Sequence, residues 1–103
     1  SNKKSEEFQW LYEGELSERK ANGFGVLSRV YKTGEIDKVY SGYWINGKKQ
    51  GFGSFWYSNG DFYQGDFCRG KKQGFGRLWG SDGSFYQGNW RDDHFDGEGL
   101  LIQ

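Results

Sequence analysis

Residues 63–85 read YQGDFCRGKKQGFGRLWGSDGSF, a 23-residue unit that begins with Tyr-x-Gly and carries Gly-Phe-Gly eleven residues after the tyrosine. Residues 40–62 follow the same pattern, and modified copies occupy residues 12–39 and 86–103. The opening tyrosines are spaced by 28, 23 and 23 residues. A repeat of this length is typical of an array in which each unit is one supersecondary element that needs its neighbours to bury its apolar face. The sequence therefore predicts four tandem units.

Each unit contains two predicted strands in which large and small residues alternate. If the tyrosine is position zero, then positions zero, two and four share one face of the first strand, and positions eleven, thirteen and fifteen share one face of the second. Glycine leaves the space that a Cβ would fill, so the rings are expected to lie flat over the neighbouring strand. The structural residues predicted in the first strands are Tyr12, Gly14, Tyr40, Gly42, Trp44, Tyr63, Gly65, Phe67, Tyr86, Gly88 and Trp90.

Two kinds of turn are predicted to join the strands. Within a unit, residues 45–50 and 68–73 each contain Gly-Lys-Lys-Gln and are interpreted as hairpin loops with a glycine at positive φ. Between units, Asn-Gly at 59–60 and Asp-Gly at 82–83 are strong turn signals. The first unit has five extra residues, which we assign to a longer second turn over residues 32–38.

The predicted fold class is all-β, a single-layer twisted antiparallel meander of tandem β-hairpins. Neighbouring strands lie about 4.8 Å apart, so four hairpins would form a ribbon about 40 Å long. Residues 1–11 are interpreted as a leader or a cap strand. We favour a short edge strand containing Phe8 and Trp10 over a disordered leader.

The composition agrees with a sheet built from rings and glycine backbone. Only 34% of residues are hydrophobic and 18 are glycine, whereas aromatic residues make up 20% of the chain. Fourteen basic residues balance fourteen acidic ones, so the net charge gives no reason to expect nucleic-acid binding. The single cysteine, Cys68, excludes an intramolecular disulfide and suits a reducing compartment. We expect a cytoplasmic protein.

The motif Tyr-x-Gly-x-Trp, as in Tyr40 to Trp44, is followed by Gly-Lys-x-x-Gly-x-Gly and an Asn/Asp-Gly turn. On a 23-residue period, this pattern resembles the MORN repeat, the membrane occupation and recognition nexus motif. The resemblance extends over residues 12–103. It implies a string of β-hairpins in a non-catalytic scaffold that is associated with the cytoskeleton or with membranes.

A second apolar stripe is predicted on the face opposite the tyrosines, at positions twelve and sixteen. A single-layer sheet has no internal partner for this stripe, so the stripe suits the docking of an extended or helical peptide from another protein. Alternatively, the twist of the ribbon makes these rings cover one another, or the N-terminal segment folds over them. The predicted protein-binding residues are Phe24, Phe52, Trp56, Phe75 and Trp79.

Lysines in equivalent hairpin loops form a second candidate surface, and they are expected to line one long edge of the ribbon. Each lysine near an anionic membrane contributes about 1 kcal/mol, so binding to phospholipid head groups would be weak and sensitive to salt. The simpler interpretation is that loop lysines only keep the protein soluble. The lysines are Lys48, Lys49, Lys71 and Lys72.

The remaining motifs do not predict an enzyme, a cofactor or a metal site. None of the Gly-x-Gly motifs begins a helix after a strand, as a phosphate-binding loop requires. His94 and Cys68 lie at different repeat positions, so they predict neither a metal cluster nor a nucleophilic pair. A further alternative is homo-oligomerisation, because an open meander leaves strand edges at residues 12–16 and 100–103.

Overall fold

A computed structural model describes residues 7–103, which form one antiparallel sheet of eight strands. Consecutive strands are neighbours throughout, so the sheet is an open meander of four hairpins. This arrangement confirms the predicted all-β fold class. The molecule measures 41 × 37 × 15 Å, and its small third dimension agrees with a sheet of one layer. The strands are β1 (Phe8–Ser17), β2 (Lys20–Tyr31), β3 (Ile36–Ile45), β4 (Lys48–Trp56), β5 (Phe62–Cys68), β6 (Lys71–Trp79), β7 (Phe85–Arg91) and β8 (His94–Ile102).

A row of glycines crosses all eight strands near their middle. A Cβ atom built on Gly76 would lie 2.2 Å from the hydroxyl oxygen of Tyr63, so the tyrosine ring occupies the space that the glycine leaves open. The same hydroxyl donates a hydrogen bond to the backbone oxygen of Asp66 at 2.9 Å. In strand order, the row is Gly14, Gly25, Gly42, Gly53, Gly65, Gly76, Gly88 and Gly99.

The core lies on the side of the sheet that carries these tyrosines, which we call the tyrosine face. Each interior tyrosine meets the position-four ring of its own unit and that of the next unit. Tyr63, for example, contacts Phe67 at 5.1 Å and Trp90 at 5.3 Å between ring centroids, both edge to face. Neighbouring units therefore share one continuous aromatic core. Its buried members are Tyr40, Trp44, Tyr63, Phe67, Tyr86 and Trp90.

The turns within the hairpins are shorter than predicted. Asn46 and Gly47 have φ angles of 49° and 80°, and Arg69 and Gly70 have φ angles of 51° and 86°. These values are typical of two-residue type I′ turns, whose twist matches that of the flanking strands. The predicted loops over residues 45–50 and 68–73 are therefore wrong in length, and the lysines that follow each turn lie on β4 and β6.

The prediction of a longer second turn over residues 32–38 is also wrong. The connection is confined to residues 32–35, and the extra residues lengthen β2 and β3, where Val30 pairs with Ile36. Pairing satisfies backbone groups that a loop would leave to water. It also buries Tyr31 and Val39.

The edge strand β1 begins at Phe8 and pairs along its length with β2, from Phe8 opposite Tyr31 to Ser17 opposite Lys20. Phe8 and Trp10 therefore lie within a strand. Residues 1–6 of the predicted leader or cap lie outside the described residues.

Candidate functional site

The face opposite the tyrosines, here called the outer face, carries the candidate docking residues. Side chains alternate along each strand, so the residues next to the glycine row and next to the core rings point to this face. On β4, for example, Phe52 and Trp56 flank the segment that contributes Gly53 and Phe55 to the tyrosine face. The five predicted binding residues share the outer face but form two separate rows.

The first row, which we call the hairpin-end row, consists of Phe24, Tyr43, Phe52 and Phe75. These four residues are 44 to 54% exposed. The rings of Phe24 and Tyr43 meet edge to face at 5.5 Å, and Phe52 lies on the next strand. Asp66 on β5 pairs with Phe52 and separates it from Phe75 on β6. The row is therefore a largely aromatic strip with one acidic residue inside it.

The second row, which we call the ladder, consists of Trp56, Phe62, Trp79 and Phe85 on four consecutive strands. Successive ring centroids are 5.2, 5.5 and 5.4 Å apart, and the rings are tilted against one another. Ile102 extends the ladder onto β8 as the partner of Phe85. The ladder rings partly cover one another, so Trp56 and Trp79 are less available than the hairpin-end row.

Polar side chains separate the two rows. The Gln64 side-chain amide donates to the Ser54 hydroxyl at 3.1 Å, and Arg77 Nε donates to Gln87 Oε1 at 2.8 Å. The guanidinium of Arg77 also lies 5.2 Å from the centroid of the Phe75 ring. The outer face is thus amphipathic, with two aromatic rows on either side of a hydrogen-bonded polar strip.

Three aromatic residues of the outer face, Tyr43, Phe62 and Phe85, were not among the predicted binding residues. The repeat pattern did indicate two of these residues, Phe62 and Phe85. Position fifteen pairs with the next tyrosine, as Phe55 does with Tyr63, so position sixteen must lie beside the residue before that tyrosine. Tyr43 is the only ring at its repeat position, so the period alone gave no indication of it.

The four candidate lipid-binding lysines are divided between the two faces, contrary to the expected single row of loop lysines. Lys49 and Lys72 pair with the core residues Trp44 and Phe67 and therefore lie on the tyrosine face. Lys48 precedes Lys49 on β4 and is exposed on the outer face. Lys71 has the equivalent position on β6. Consecutive residues of a strand point to opposite sides of the sheet. The paired lysines therefore lie on opposite faces, whereas lysines in loops could have shared one edge.

The two inward lysines are held by aromatic and acidic groups. Lys72 Nζ lies within hydrogen-bonding distance of the Tyr57 hydroxyl and 3.6 Å from the Asp93 carboxylate, and only 12% of its side chain is exposed. Its ammonium also lies 5.7 Å from the centroid of the Tyr63 ring. Burial lowers the pKa of Lys49, whose ammonium lies 5.3 Å from the centroid of Phe55. These two lysines stabilise the tyrosine face.

The side chains of Cys68 and His94 have different neighbours. Cys68 Sγ lies 3.8 Å from the Gln50 side-chain amide, and His94 begins β8 opposite Arg91. Among residues 7–103, no three His, Cys, Asp or Glu side chains gather into a group that could hold a metal ion. In the same part of the chain, no helix has the length and apolar character needed to cross a bilayer.

Comparison with known proteins gives two findings. The family model for the MORN repeat matches residues 12–30, 40–62, 63–85 and 86–102. The chain is also similar to MORN repeat-containing protein 3 of Xenopus laevis, with 49% identity over 49 residues. That match covers 47% of this chain and 21% of the relative, so the chain spans about a fifth of the length of the curated relative that it matches.

Proposed function

The chain belongs to the MORN repeat family, and we propose that it is a non-catalytic scaffold or adaptor module that binds another protein through its outer face. We further propose that it acts in the cytoplasm, within a cytoskeletal or membrane-associated assembly. The partner contributes a peptide or helix segment.

The observation that supports this proposal is the exposure of the hairpin-end row. The tyrosine face already supplies a packed core, so the fold has no need of Phe24, Tyr43, Phe52 and Phe75 for its interior. Clustered aromatic side chains on the surface of a soluble protein are typical of interaction sites, and aromatic residues are common binding hot spots. A rigid sheet also presents them without a large loss of conformational entropy on binding.

The spacing of the row fits an amphipathic helix that lies across the strands. Phe52 and Phe75 are one unit apart, which is two strand spacings or about 10 Å. Residues seven apart on an α-helix are also separated by about 10.5 Å along its axis. Apolar side chains at that interval would pack beside the two phenylalanines, and a basic residue between them would face Asp66.

Capture of a partner from a lysate of the source cell tests this proposal, with wild type and a Phe52→Glu/Phe75→Glu variant as baits. The variant should lose a protein that the wild type retains, because two carboxylates would replace its apolar anchors. The matched control is Gln64→Glu/Gln87→Glu, which adds the same charge to the polar strip of the same face. Equal capture by all three folded baits would contradict the proposal.

Binding to anionic phospholipids is an alternative function that uses only part of the predicted lysine set. Lys48 and Lys71 are exposed on the face that carries the aromatic rows, whereas Lys49 and Lys72 are held on the tyrosine face. Two exposed lysines would contribute about 2 kcal/mol together. Flotation with phosphatidylserine vesicles should then weaken strongly in Lys48→Ala/Lys71→Ala, and vesicles of phosphatidylcholine provide the control.

Self-assembly through strand edges is a second alternative. The meander has β1 and β8 at its edges, and β8 is exposed along its whole length. Edge strands offer unpaired backbone groups to another sheet. Light scattering that shows a single mass over a wide range of concentration would contradict this alternative.

A further inference from the structure

On the tyrosine face, the residue at position nine lies beside the tyrosine of its own unit. It is always paired with position four across the hairpin turn, so its side chain reaches the same place in every repeat. The four pairs are Leu16 with Ala21, Trp44 with Lys49, Phe67 with Lys72, and Trp90 with Phe95.

Three of these side chains cover the tyrosine ring. The ammonium groups of Lys49 and Lys72 lie 5.8 and 5.7 Å from the ring centroids of Tyr40 and Tyr63. In the fourth unit, a ring replaces the cation. Phe95 stacks on Tyr86 with a centroid distance of 3.9 Å and an interplanar angle of 12°. Both a lysine and a phenylalanine are therefore compatible with this position.

The first unit lacks such a cover, because the side chain of Ala21 is a single methyl group. The result is a groove of about 450 Å³ above Tyr12, whose apolar walls include Trp10, Leu27 and Trp44. Tyr12 is only partly buried, whereas Tyr40 and Tyr63 are fully buried. The position-four residue of this unit, Leu16, is 64% exposed. The first unit therefore has an open place where the other three have a side chain.

The charged residues beside the groove differ from those at the equivalent place in the fourth unit. Arg19 lines the groove and is exposed. Lys20 also lines it, but Lys20 has position eight, as Lys48 and Lys71 do, so its ammonium group lies toward the outer face. The residue equivalent to Arg19 in the fourth unit is Asp93, and that carboxylate lies beside the ammonium of Lys72. The groove has no carboxylate among its lining residues. An incoming cation would therefore meet the like charge of Arg19, whereas an incoming carboxylate would meet an opposite charge.

We propose that this groove binds an aromatic side chain carried by an acidic segment of a partner protein. The ring stacks on Tyr12 as Phe95 stacks on Tyr86, and an acidic residue beside it pairs with Arg19. The site lies on the opposite side of the sheet from the hairpin-end row, so it does not depend on the docking proposed for the outer face.

The test uses a capped heptapeptide with a central phenylalanine and three glutamates on each side, titrated into the isotopically labelled chain. We expect a saturable upfield shift of the Ala21 methyl signal, caused by the ring current of the bound phenylalanine, and shifts of the Arg19 and Lys20 amides. A peptide with a central alanine, or with lysines in place of the glutamates, should bind at least about tenfold more weakly. Equal binding of either control peptide, or no saturable shift, overturns the proposal.

A filled-groove variant provides the matched protein control. Ala21→Phe reproduces the arrangement of Phe95, so it should fold, melt at the same or a higher temperature, and lose peptide binding by at least about tenfold. Ala21→Lys reproduces the second and third units and should also block the groove. The Phe52→Glu/Phe75→Glu variant should bind the peptide as wild type does. Undiminished binding by folded Ala21→Phe or Ala21→Lys would overturn the proposal.

Discussion

The two faces of this sheet are both rich in aromatic residues, yet only the tyrosine face buries its central rings. Tyr63 on the tyrosine face is fully buried, whereas Phe52 on the outer face is half exposed. The difference comes from the residues between the rings. The glycine row lets the tyrosines lie flat across the next strand, while the outer face has Ser54 and Gln64 at the corresponding place. A single-layer sheet can thus form its core on one side and leave the other side available for binding.

The largest expected difference between the faces is the cost of removing a ring. Tyr63→Ala should lower the free energy of unfolding by about 4 kcal/mol, because it removes a fully buried ring and leaves a cavity. Phe52→Ala should lower it by less than about 1 kcal/mol, because that ring is half exposed. Urea unfolding of the two variants measures both values. Similar losses would show that the outer face also belongs to the core.

A smaller but more specific effect is expected at the glycine row. A Cβ atom on Gly65 would lie 2.4 Å from the Cα of Gly76 on the next strand, so Gly65→Ala must push two backbones apart. We expect a loss of about 3 kcal/mol. The matched change is Ser41→Ala on the outer face, which should alter the free energy of unfolding by less than about 0.5 kcal/mol. If calorimetry gave the same melting temperature for both variants, the close packing of the core would not depend on the glycine row.

Much of this comparison could be predicted from the sequence, because the repeat gives strand order and the alternation gives two faces. The meander and the aromatic core with its glycines follow from position counting. Position counting does not show on which face Lys49 and Lys72 lie, because their face depends on whether the preceding turn has two residues or more. The same uncertainty made the extra residues before Val39 look like a loop, although pairing and burial make them strand.

The division of the outer face into two rows could not be predicted from the sequence either. Phe52 and Trp56 recur on the same period and point to the same side, so pattern counting placed them in one stripe. Their separation by the polar strip, and the ring contacts of Trp56 with Phe62, depend on the pairing of β4 with β5. To predict which side chains from neighbouring strands meet in a site, the register between those strands must be known.

Alkaline pH should affect the tyrosine face with a definite sign. Burial raises the pKa of Tyr40 and Tyr63 above the ordinary value of 10.0. Above that value, the unfolded chain releases tyrosine protons while the folded chain retains them, so the free energy of unfolding falls as pH rises. Below the ordinary value, both states hold these protons and this contribution to stability is fully present.

The Tyr63→Phe variant isolates this effect, because it keeps the ring and removes one ionisable group. At pH 8 it should be less stable than wild type by about 1 kcal/mol, since it loses the hydrogen bond to the Asp66 backbone oxygen. Between pH 10 and pH 11.5 its stability should decline less steeply than that of wild type. Parallel decline of the two proteins in urea titrations would mean that Tyr63 ionises as readily in the folded chain as in the unfolded one.

Site-specific photo-cross-linking tests most directly whether the outer face is the binding face. A photoreactive phenylalanine analogue is placed at Phe52 or at Phe55, which lie three residues apart on β4 and point to opposite faces. Each protein is irradiated in lysate with the captured partner. We predict a cross-linked partner from position 52 and none from position 55. Cross-linking from position 55 alone, or equally from both positions, would contradict the account.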